Sequence, residues 1–342
     1  MKRILTGLLL GFSTLHPTFA QELPSKAIEL PEVQAFVQEM AQKHHMDEAT
    51  LTGWFETAKF QPKILEAISK PYEKKPWYQY KKLFVTESHV NDGIKFWALH
   101  KEALSQAEKK YGVPAEIIVA IIGVETRYGK HKGFYPILDA LSTLAFEYPP
   151  RATFFKSELE QLLLLAHEQE LDPTKMVSSY AGAIGYPQFI PSSYRAYAVD
   201  FNGARHADLI NNPKDAIGSV ANYFKSHGWE PGKAIAMPAK ADPSKVGQIE
   251  QSPNNPKPNY TLGQLNQFGV QVPLKDAKQK QEKMAFLSFD EEQGYDYWVG
   301  FQNFYVITRY NHSNLYAMAV YQLAQKLKQE ALAKALTNSK TT

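Results

Sequence analysis

The 342-residue chain has no cysteine, and that absence excludes several kinds of site at once. Without thiols there can be no disulfide, no thiolate metal site and no lipid anchor on a cysteine. Charge of one sign is also scarce, because 38 Lys and Arg face 35 Asp and Glu for a net charge of +3. So small an excess does not indicate a nucleic-acid partner. No uninterrupted apolar run approaches the ~18 residues of a membrane span, so we expect no transmembrane segment.

The chain has the composition of a globular protein, and its N-terminal residues have the pattern of a signal peptide. Hydrophobic residues make up 44% and charged residues 21%, which suits a folded core built from two or three subdomains. Lys2 and Arg3 precede an apolar stretch at residues 4–12, and a polar stretch ends in the small residue Ala20. This order predicts a cleavable signal peptide over residues 1–20. We therefore expect a soluble protein exported to a bacterial periplasm.

Apolar spacing predicts helices along most of the chain. Asp47 as an N-cap and Pro31 and Pro62 in first turns mark three of the helix starts. The predicted helices cover residues 31–46, 47–59, 62–69, 91–110, 157–169 and 215–228, together with one that ends near Glu125 and one that follows Ser313. Between residues 230 and 292 the chain becomes polar, which indicates a small β-containing insertion. Its predicted elements are strands at 234–237, 270–272 and 284–289 and a short helix opened by a capping box at Thr261.

Glu125 is a carboxylate in an otherwise apolar segment. It ends the run of residues 113–125, in which Pro114 suits a helix start and residues 117–124 are apolar on every face. Burial and the negative end of the helix dipole both disfavour the anion, so we expect a raised pKa. A carboxyl that stays protonated near neutral pH is what a general acid needs. The alternative is a Glu neutralised by Arg127 or exposed at a frayed helix end.

The segment of residues 178–194 combines hydrogen-bonding groups with aromatic faces. Ser179 and Gln188 offer neutral polar groups beside Tyr186 and Phe189. That mixture suits a sugar, which presents hydroxyls, an acetamido group and apolar ring faces. The alternative is a tight structural turn.

The segment of residues 308–313 is a second candidate for sugar binding. Asn311 can donate and accept hydrogen bonds at once, as recognition of an N-acetyl group requires. The alternative is a loop in which Asn311 and Ser313 only cap the last helix.

Four separate blocks of the chain are similar to one enzyme family. The blocks are Ile-Ile-Gly-Val-Glu-Thr-Arg-Tyr-Gly at 121–129, the segments 179–194 and 215–229, and Arg-Tyr-Asn-His-Ser at 309–313. In this order they resemble the lytic transglycosylase B family, glycoside hydrolase family 103. The similarity runs from about Trp77 to Leu323, and several long, separately placed motifs make it specific.

The resemblance implies a mainly α (α+β) fold with a lysozyme-like helical catalytic core, a helical N-terminal subdomain and a small β-containing insertion. The implied division of the chain is a signal peptide at 1–20, the N-terminal subdomain at 21–105, the core at 106–229, the insertion at 230–292, a return to the core at 293–335 and a frayed tail at 336–342. The implied activity is cleavage of the MurNAc–GlcNAc β-1,4 bond of peptidoglycan with formation of 1,6-anhydro-MurNAc ends.

The same resemblance assigns site residues and partners. The catalytic acid/base falls on Glu125. The implied substrate-binding residues are Ser179, Gln188, Phe189, Tyr223, Tyr310, Asn311 and Tyr316, with Tyr80 and Arg151 as flanking contacts. Peptidoglycan glycan strands are the implied partner, and other cell-wall enzymes are candidate partners. We expect a monomer that needs no cofactor.

The chain departs from the family pattern at several positions. A single Arg151 follows Pro150 where the family usually has two consecutive arginines, which puts one contact to the glycan or its peptide stem in doubt. Pro187 stands where Gly is common, and it leaves Gln188 in place. Some family members are lipoproteins, and this chain lacks the cysteine that a lipid anchor requires.

Residues 200–211 lie where the best-known branch of the family has an EF-hand-like calcium loop. Such a loop needs oxygen ligands at positions one, three and five, glycine at six and glutamate at twelve. Here positions five, six and twelve are Ala204, Arg205 and Asn211. We therefore expect no bound metal.

The number of available carboxylates bears on the mechanism. Glycosidases with two carboxyl groups need the second ~5–5.5 Å from the first for retention or ~6.5–9.5 Å from it for inversion. No acidic residue in the motif blocks is placed to face Glu125, and Asp139 and Glu147 lie in segments that could be surface loop or helix. We therefore expect the acetamido group of the substrate to act as the nucleophile. The alternatives are a hydrolytic muramidase on the same fold and a non-catalytic peptidoglycan-binding protein.

Overall fold

The computed structural model describes residues 25–70, 75–274 and 279–338 of the chain, and the predicted signal peptide lies outside these ranges. Helices dominate, which confirms the predicted fold class. The helices are α1 (Pro31–His44), α2 (Glu48–Thr57), α3 (Pro62–Ile68), α4 (Trp77–Phe84), α5 (Glu87–Leu99), α6 (Lys101–Tyr111), α7 (Ala115–Thr126), α8 (Ile137–Glu147), α9 (Ala152–Glu168), α10 (Pro191–Tyr197), α11 (Pro213–Ser226), α12 (Leu262–Gln267), α13 (Gln302–Tyr310) and α14 (Asn314–Asn338). The strands are β1 (Tyr135–Pro136), β2 (Val177–Ser178), β3 (Ala236–Pro238), β4 (Ala285–Asp290) and β5 (Tyr295–Gly300).

Several helix starts follow the signals in the sequence. Asp47 caps α2 by accepting a hydrogen bond from a backbone N–H three residues on at 2.8 Å. Pro31 and Pro62 occupy the first turns of α1 and α3. Thr261 and Gln264 form the predicted capping box of α12. These contacts matter because the first N–H groups of a helix have no partner within the helix itself.

α7 lies at the centre of the larger hydrophobic cluster. Its residues 117–122 are each at most 1% exposed, and it packs against α5, α6, α11 and α14. Gly123 is required because an added Cβ would lie 2.6 Å from the hydroxyl of Tyr128. A helix covered by neighbours on every side can be apolar all round, as this one is. The core therefore fixes the helix that carries Glu125.

The strands form two small antiparallel sheets. β5 is the central strand of the larger one, with β3 on one side and β4 on the other. This sheet contributes to a second hydrophobic cluster that includes Val246, Leu265, Phe286 and Val299. Because β5 lies beyond residue 292, the sheet extends past the predicted end of the insertion. β1 and β2 pair Tyr135 with Ser178 and thereby join the loop after α7 to the 178–194 segment.

Some elements differ from the sequence-based expectations. The helix predicted at 91–110 is two helices, α5 and α6, separated at His100. α5 packs against α14 whereas α6 packs against α11, and a change of direction lets each reach its own partner. The predicted boundary between residues 105 and 106 falls inside α6, and α14 continues past residue 336 to Asn338. Helices α4, α8, α10 and α13 lie where no helix is predicted. None of the described helices is long and apolar enough to cross a membrane.

Candidate active site

Glu125 lies in the last turn of α7, one residue before its end. Arg127 stops the helix by taking a left-handed conformation with φ of +49°. The hydroxyl of Thr126 donates to the carbonyl oxygen of Tyr186 at 3.0 Å and so ties the helix end to the 178–194 loop. The carboxyl group is therefore held between two fixed parts of the fold.

The nearby arginine does not neutralise Glu125. Arg127 Nε donates to Asp92 Oδ2 at 3.1 Å, and its Nη2 donates to Ser88 Oγ at 2.5 Å. Lys130 Nζ donates to the same Asp92 oxygen at 2.7 Å. These contacts, with the hydrogen bond from Lys130 foremost, lower the pKa of Asp92. The ion-pair alternative is therefore wrong, because the cations that follow Glu125 in the sequence bind a carboxylate on α5.

Burial raises the pKa of Glu125 from 4.5 to about 7. Burial is the larger of two effects, since the charged form loses its solvation. The second effect opposes it, because the Tyr316 hydroxyl donates to Glu125 Oε1 at 2.5 Å and favours the carboxylate. With Oε1 accepting, the transferable proton belongs on Oε2. Both protonation states are populated near pH 7, as a group that acts first as acid and then as base requires.

Two tyrosines accompany the carboxyl group. The rings of Tyr310 and Tyr316 lie nearly parallel, with centroids 6.4 Å apart and planes 11° from each other. Burial, and then the proximity of Glu125, raises the pKa of both hydroxyls well above 10. Tyr310 O–H donates to the carbonyl oxygen of Pro187 at 2.6 Å. Both hydroxyls therefore stay neutral at physiological pH and act as donors.

The 178–194 loop is a tight turn that also presents a side chain to the site. Ser179 Oγ accepts hydrogen bonds from the backbone N–H groups of Ala181 and Ala183 at 3.2 and 3.1 Å. Gly185 has φ of +68°, and an added Cβ would lie 2.1 Å from a backbone oxygen of the neighbouring loop. Gln188 has φ of +50° and donates from Nε2 to Gly185 O at 2.9 Å. The turn holds Gln188 in one orientation.

A cavity of about 610 Å³ lies beside these groups, within the size range of small-molecule sites. The predicted site residues that line it are Arg151, Gln188, Phe189, Tyr223, Tyr310 and Asn311. The Tyr223 ring lies 5.6 Å from Phe189 and 4.9 Å from Tyr310, measured between centroids. Together these three side chains make an aromatic wall.

The other predicted site residues lie outside the lining of this cavity. Glu125 and Tyr316 are adjacent to it through the ring of Tyr310. Ser179 lies within the turn. Tyr80 is only 2% exposed and stacks on Trp77 at 6.4 Å.

Asn311 does not cap the last helix, which was the alternative to a role in sugar binding. Ser313 Oγ accepts a hydrogen bond from Tyr316 N at 3.3 Å, so Ser313 caps α14. Asn311 follows the end of α13 and lines the cavity. It is therefore placed to contact a ligand.

Seven lining residues are absent from the sequence-based prediction, namely Phe154, Phe155, Ala181, Ile190, Ser193, Arg309 and His312. Arg309 adjoins Tyr310 within the quoted 309–313 block, so its position in the motif could have indicated it. Phe154 carries no such signal, because it reaches the cavity through the path of α9 and no local pattern marks it.

Neither candidate for a second carboxylate faces Glu125. Asp139 is buried in α8 and accepts hydrogen bonds from Lys59 N at 2.9 Å and from Gln61 Nε2 at 2.8 Å. Glu147 ends α8, and burial followed by the proximity of Glu32 raises its pKa. Over the described ranges, the two causes that shift the pKa of Glu125 are burial and Tyr316, and no acid contributes.

The 200–211 loop directs its carboxylates toward its own backbone. Asp200 accepts hydrogen bonds from Gly203 N at 2.7 Å and from Arg205 N at 2.8 Å. Asp208 accepts from Ile210 N at 2.9 Å. In the part of the chain that the structure describes, no group of three or more His, Asp and Glu is arranged to hold a metal ion. The absence of bound calcium remains a prediction.

Comparison with known proteins places these features in a family. The model of the transglycosylase SLT domain matches residues 29–325 of the chain. The chain is 45% identical over 307 residues to the membrane-bound lytic murein transglycosylase B of Escherichia coli (strain K12), covering 86% of this chain and 82% of that protein.

The fold of this chain is also similar to solved structures of lytic transglycosylases. The soluble lytic transglycosylase SltB1 from Pseudomonas aeruginosa superposes with a TM-score of 0.82 at 46% identity, covering 88% of this chain and 99% of that one. The lytic transglycosylase Slt35 of Escherichia coli, solved in complex with calcium, gives 0.80 at 44% identity, covering 89% and 94%. The chain therefore belongs to the transglycosylase SLT domain family and is a lytic transglycosylase.

Proposed function

We propose that this enzyme cleaves the β-1,4 bond between MurNAc and GlcNAc in peptidoglycan and leaves a 1,6-anhydro-MurNAc end. The observation that carries the proposal is the single carboxyl group with a pKa of about 7 beside the cavity. The names of the relatives support it, since one is a lytic murein transglycosylase and another, SltB3 of Pseudomonas aeruginosa, was solved in complex with NAG-anhNAM-pentapeptide at 29% identity.

In the first step Glu125 acts as the general acid. Its Oε2 proton passes to the glycosidic oxygen, and the bond from that oxygen to the anomeric carbon of MurNAc breaks. The acetamido oxygen of the same sugar attacks the anomeric carbon and forms an oxazolinium ion. This proton transfer leaves Glu125 as a carboxylate, and Tyr316 stabilises it through the hydrogen bond to Oε1.

In the second step the same carboxylate acts as the base. The C6 hydroxyl of MurNAc attacks the anomeric carbon, the bond to the acetamido oxygen breaks, and the hydroxyl proton returns to Glu125. No water is consumed, and the enzyme ends in its starting protonation state. Both nucleophiles belong to the substrate, so the advantage comes from holding them in place.

The cavity residues would supply that positioning. Gln188 and Asn311 bring amide groups to its lining, and Phe189, Tyr223 and Tyr310 bring aromatic faces. Ser179 lies outside the cavity lining, in the adjacent turn, where its Oγ accepts from two backbone amides and keeps its own proton for donation to the acetamido group. We assign these residues to substrate orientation rather than to proton transfer.

The variant Glu125→Gln tests the assignment of the acid. It keeps the size of the side chain and removes the transferable proton, so we expect turnover on purified sacculi to fall by roughly 10²–10⁴-fold. Glu116→Gln is the matched control, because Glu116 lies on the same helix and accepts a hydrogen bond from Lys328 Nζ at 2.9 Å. Retention of more than about a tenth of wild-type turnover in Glu125→Gln would contradict the proposal.

We also propose that the chain acts in the periplasm after removal of residues 1–20, on the strength of the signal-like pattern at Lys2, Arg3 and Ala20. The Escherichia coli relative is described as membrane-bound. Cell fractionation with N-terminal sequencing checks this. An intact Met1 on cytoplasmic protein would count against export.

A further inference from the structure

A second cavity, of about 530 Å³, lies between the start of α4, strand β4 of the larger sheet and the start of α14. None of the residues that line it also lines the cavity beside Gln188. Its lining includes hydrogen-bonding side chains, among them Gln251, Ser288 and Asp290. The proposed reaction assigns no role to these side chains.

The two cavities are neighbours. Arg309 lines the first cavity, and its Nη2 donates at 3.2 Å to the carbonyl oxygen of Asn254, which lines the second. The next residues of the chain pass from one lining to the other, since His312 belongs to the first and Ser313 to the second. A strand that is longer than the first cavity can therefore continue into the second.

Two tyrosines of β5 lie beside the second cavity. In the register of the sheet, Tyr297 is opposite Ser288 and Tyr295 is opposite Asp290. Directly opposite residues of an antiparallel pair project from the same face of the sheet. The rings of Tyr295 and Tyr297 therefore lie on the same face as two of the side chains that line the cavity.

Stacking fixes the orientation of these rings. The planes of Tyr295 and Tyr297 differ by 23°, with centroids 6.1 Å apart. Tyr297 in turn lies nearly parallel to the buried Phe286, with centroids 5.7 Å apart. Tyr295 lies at the end of this stack and is 58% exposed. An exposed aromatic ring held in place by its neighbours is available to pack against a ligand.

This combination of groups suits a sugar. A pyranose ring has an apolar face that packs on an aromatic ring, and its hydroxyls bond to amide and carboxylate groups. Ser288 Oγ donates to Gln251 Oε1 at 2.8 Å and so holds the Gln251 amide at the cavity, where Asp290 adds a carboxylate that can accept from two hydroxyls. The glycan is the linear part of peptidoglycan and carries the cleaved bond, so it is the part that can enter both cavities at once.

We propose that the second cavity and the tyrosine pair form an accessory groove that binds sugars of the glycan strand remote from the cleaved bond. This inference rests on the proposed function, because the strand in the groove is the one that is cleaved beside Glu125. A short fragment fills only the first cavity, whereas a long strand also contacts the groove. The groove therefore makes the enzyme favour long strands over short ones.

The test measures binding by an enzyme that cannot cleave. Full-length Glu125→Gln is the parent protein, and the ligands are GlcNAc–MurNAc strands from disaccharide to decasaccharide whose peptide stems an amidase has removed. Isothermal titration calorimetry gives Kd for each length. A second series of the same lengths keeps its peptide stems.

We expect the Kd of the parent protein to fall as the strand lengthens. Tyr295→Ala in this protein should weaken binding of the longest peptide-free strand by roughly 3- to 10-fold, the range for one aromatic contact, and should weaken disaccharide binding less. Asp290→Ala should act in the same direction, because it removes an acceptor for sugar hydroxyls. Both side chains are exposed, so we expect both variants to fold.

Leu332→Ala is the matched control. Leu332 is also 58% exposed, and it lies roughly 27 Å further along α14 than Asn314, which lines the second cavity. This variant should bind strands of every length as the parent protein does.

A Tyr295→Ala variant that binds long peptide-free strands as tightly as its parent would overturn the inference. So would an equal loss at every length, because that pattern indicates a structural effect. A loss confined to strands that keep their peptide stems would also overturn it and would show that the groove binds peptide. The proposed function fails separately, through the absence of anhydro ends from digests with wild-type enzyme while binding by Glu125→Gln persists.

Discussion

Replacement of Glu125 by Gln should increase the stability of the protein at alkaline pH while it removes activity. In the folded state the carboxyl of Glu125 has a pKa of about 7 in place of 4.5. Between these values the unfolded chain has released the proton that the folded chain still binds. The free energy of unfolding of the wild-type protein therefore falls as the pH rises through this interval. Glutamine cannot ionise, so the variant avoids the loss.

The size of the effect follows from the two pKa values. Each pH unit between them corresponds to about 1.36 kcal/mol, so the difference between 4.5 and about 7 amounts to at most about 3 kcal/mol. Below pH 4.5 the two proteins should have nearly equal stability. Above pH 7 the variant should be more stable by up to this amount, which for a chain of this size corresponds to a higher melting temperature by several degrees.

Denaturation curves of the two proteins at pH 4.5 and pH 8 check this prediction. Glu116→Gln serves as the control. This variant loses the charged partner of Lys328, so we expect it to gain no stability at pH 8. A Glu125→Gln variant whose stability relative to wild type is the same at both pH values would refute the reasoning. A variant that is less stable at pH 8 would refute it more strongly, since it would mean that the folded protein favours the charged carboxylate.

Three further predictions concern Tyr316, Asn311 and the 200–211 loop. Tyr316→Phe removes the hydrogen bond that favours the carboxylate, so the alkaline limb of the pH–rate profile should move upward by roughly 1–2 pH units, and a limb that stays put or moves down contradicts this. Asn311→Ala should lower turnover at saturating muropeptide as well as affinity, whereas unchanged kcat with a lower melting temperature would remove Asn311 from the site. Millimolar Ca²⁺ should leave the melting temperature unchanged, and a rise that Asp200→Ala abolishes would show that the 200–211 loop binds it.

The sequence was sufficient to identify the helix of Glu125 but not the neighbours of its carboxyl group. An uninterrupted apolar run implies a helix covered on all sides, and the raised pKa follows from that burial. The ion-pair partner of Arg127 could not be predicted from its position two residues after Glu125. Its partner Asp92 lies 35 residues earlier in the chain, and only the packing of α5 on α7 brings the two together.

The same limit applies to the other side of the site. Tyr316 reaches Glu125 across 191 residues of sequence, and the family resemblance named it without indicating this contact. The sequence left two alternatives for residues 178–194, a sugar-binding segment or a tight structural turn. In the structure the segment is a tight turn, and its Gln188 also lines the cavity. The sequence pattern also did not predict α8, whose residues 137–145 are all buried.

The central claim is that the substrate supplies both nucleophiles and water takes no part. Digestion of purified sacculi in ¹⁸O-labelled water, followed by mass spectrometry of the released muropeptides, tests it most directly. The account predicts 1,6-anhydro-MurNAc ends that contain no ¹⁸O. Reducing MurNAc ends that carry one ¹⁸O atom would contradict it and would identify the enzyme as a hydrolytic muramidase.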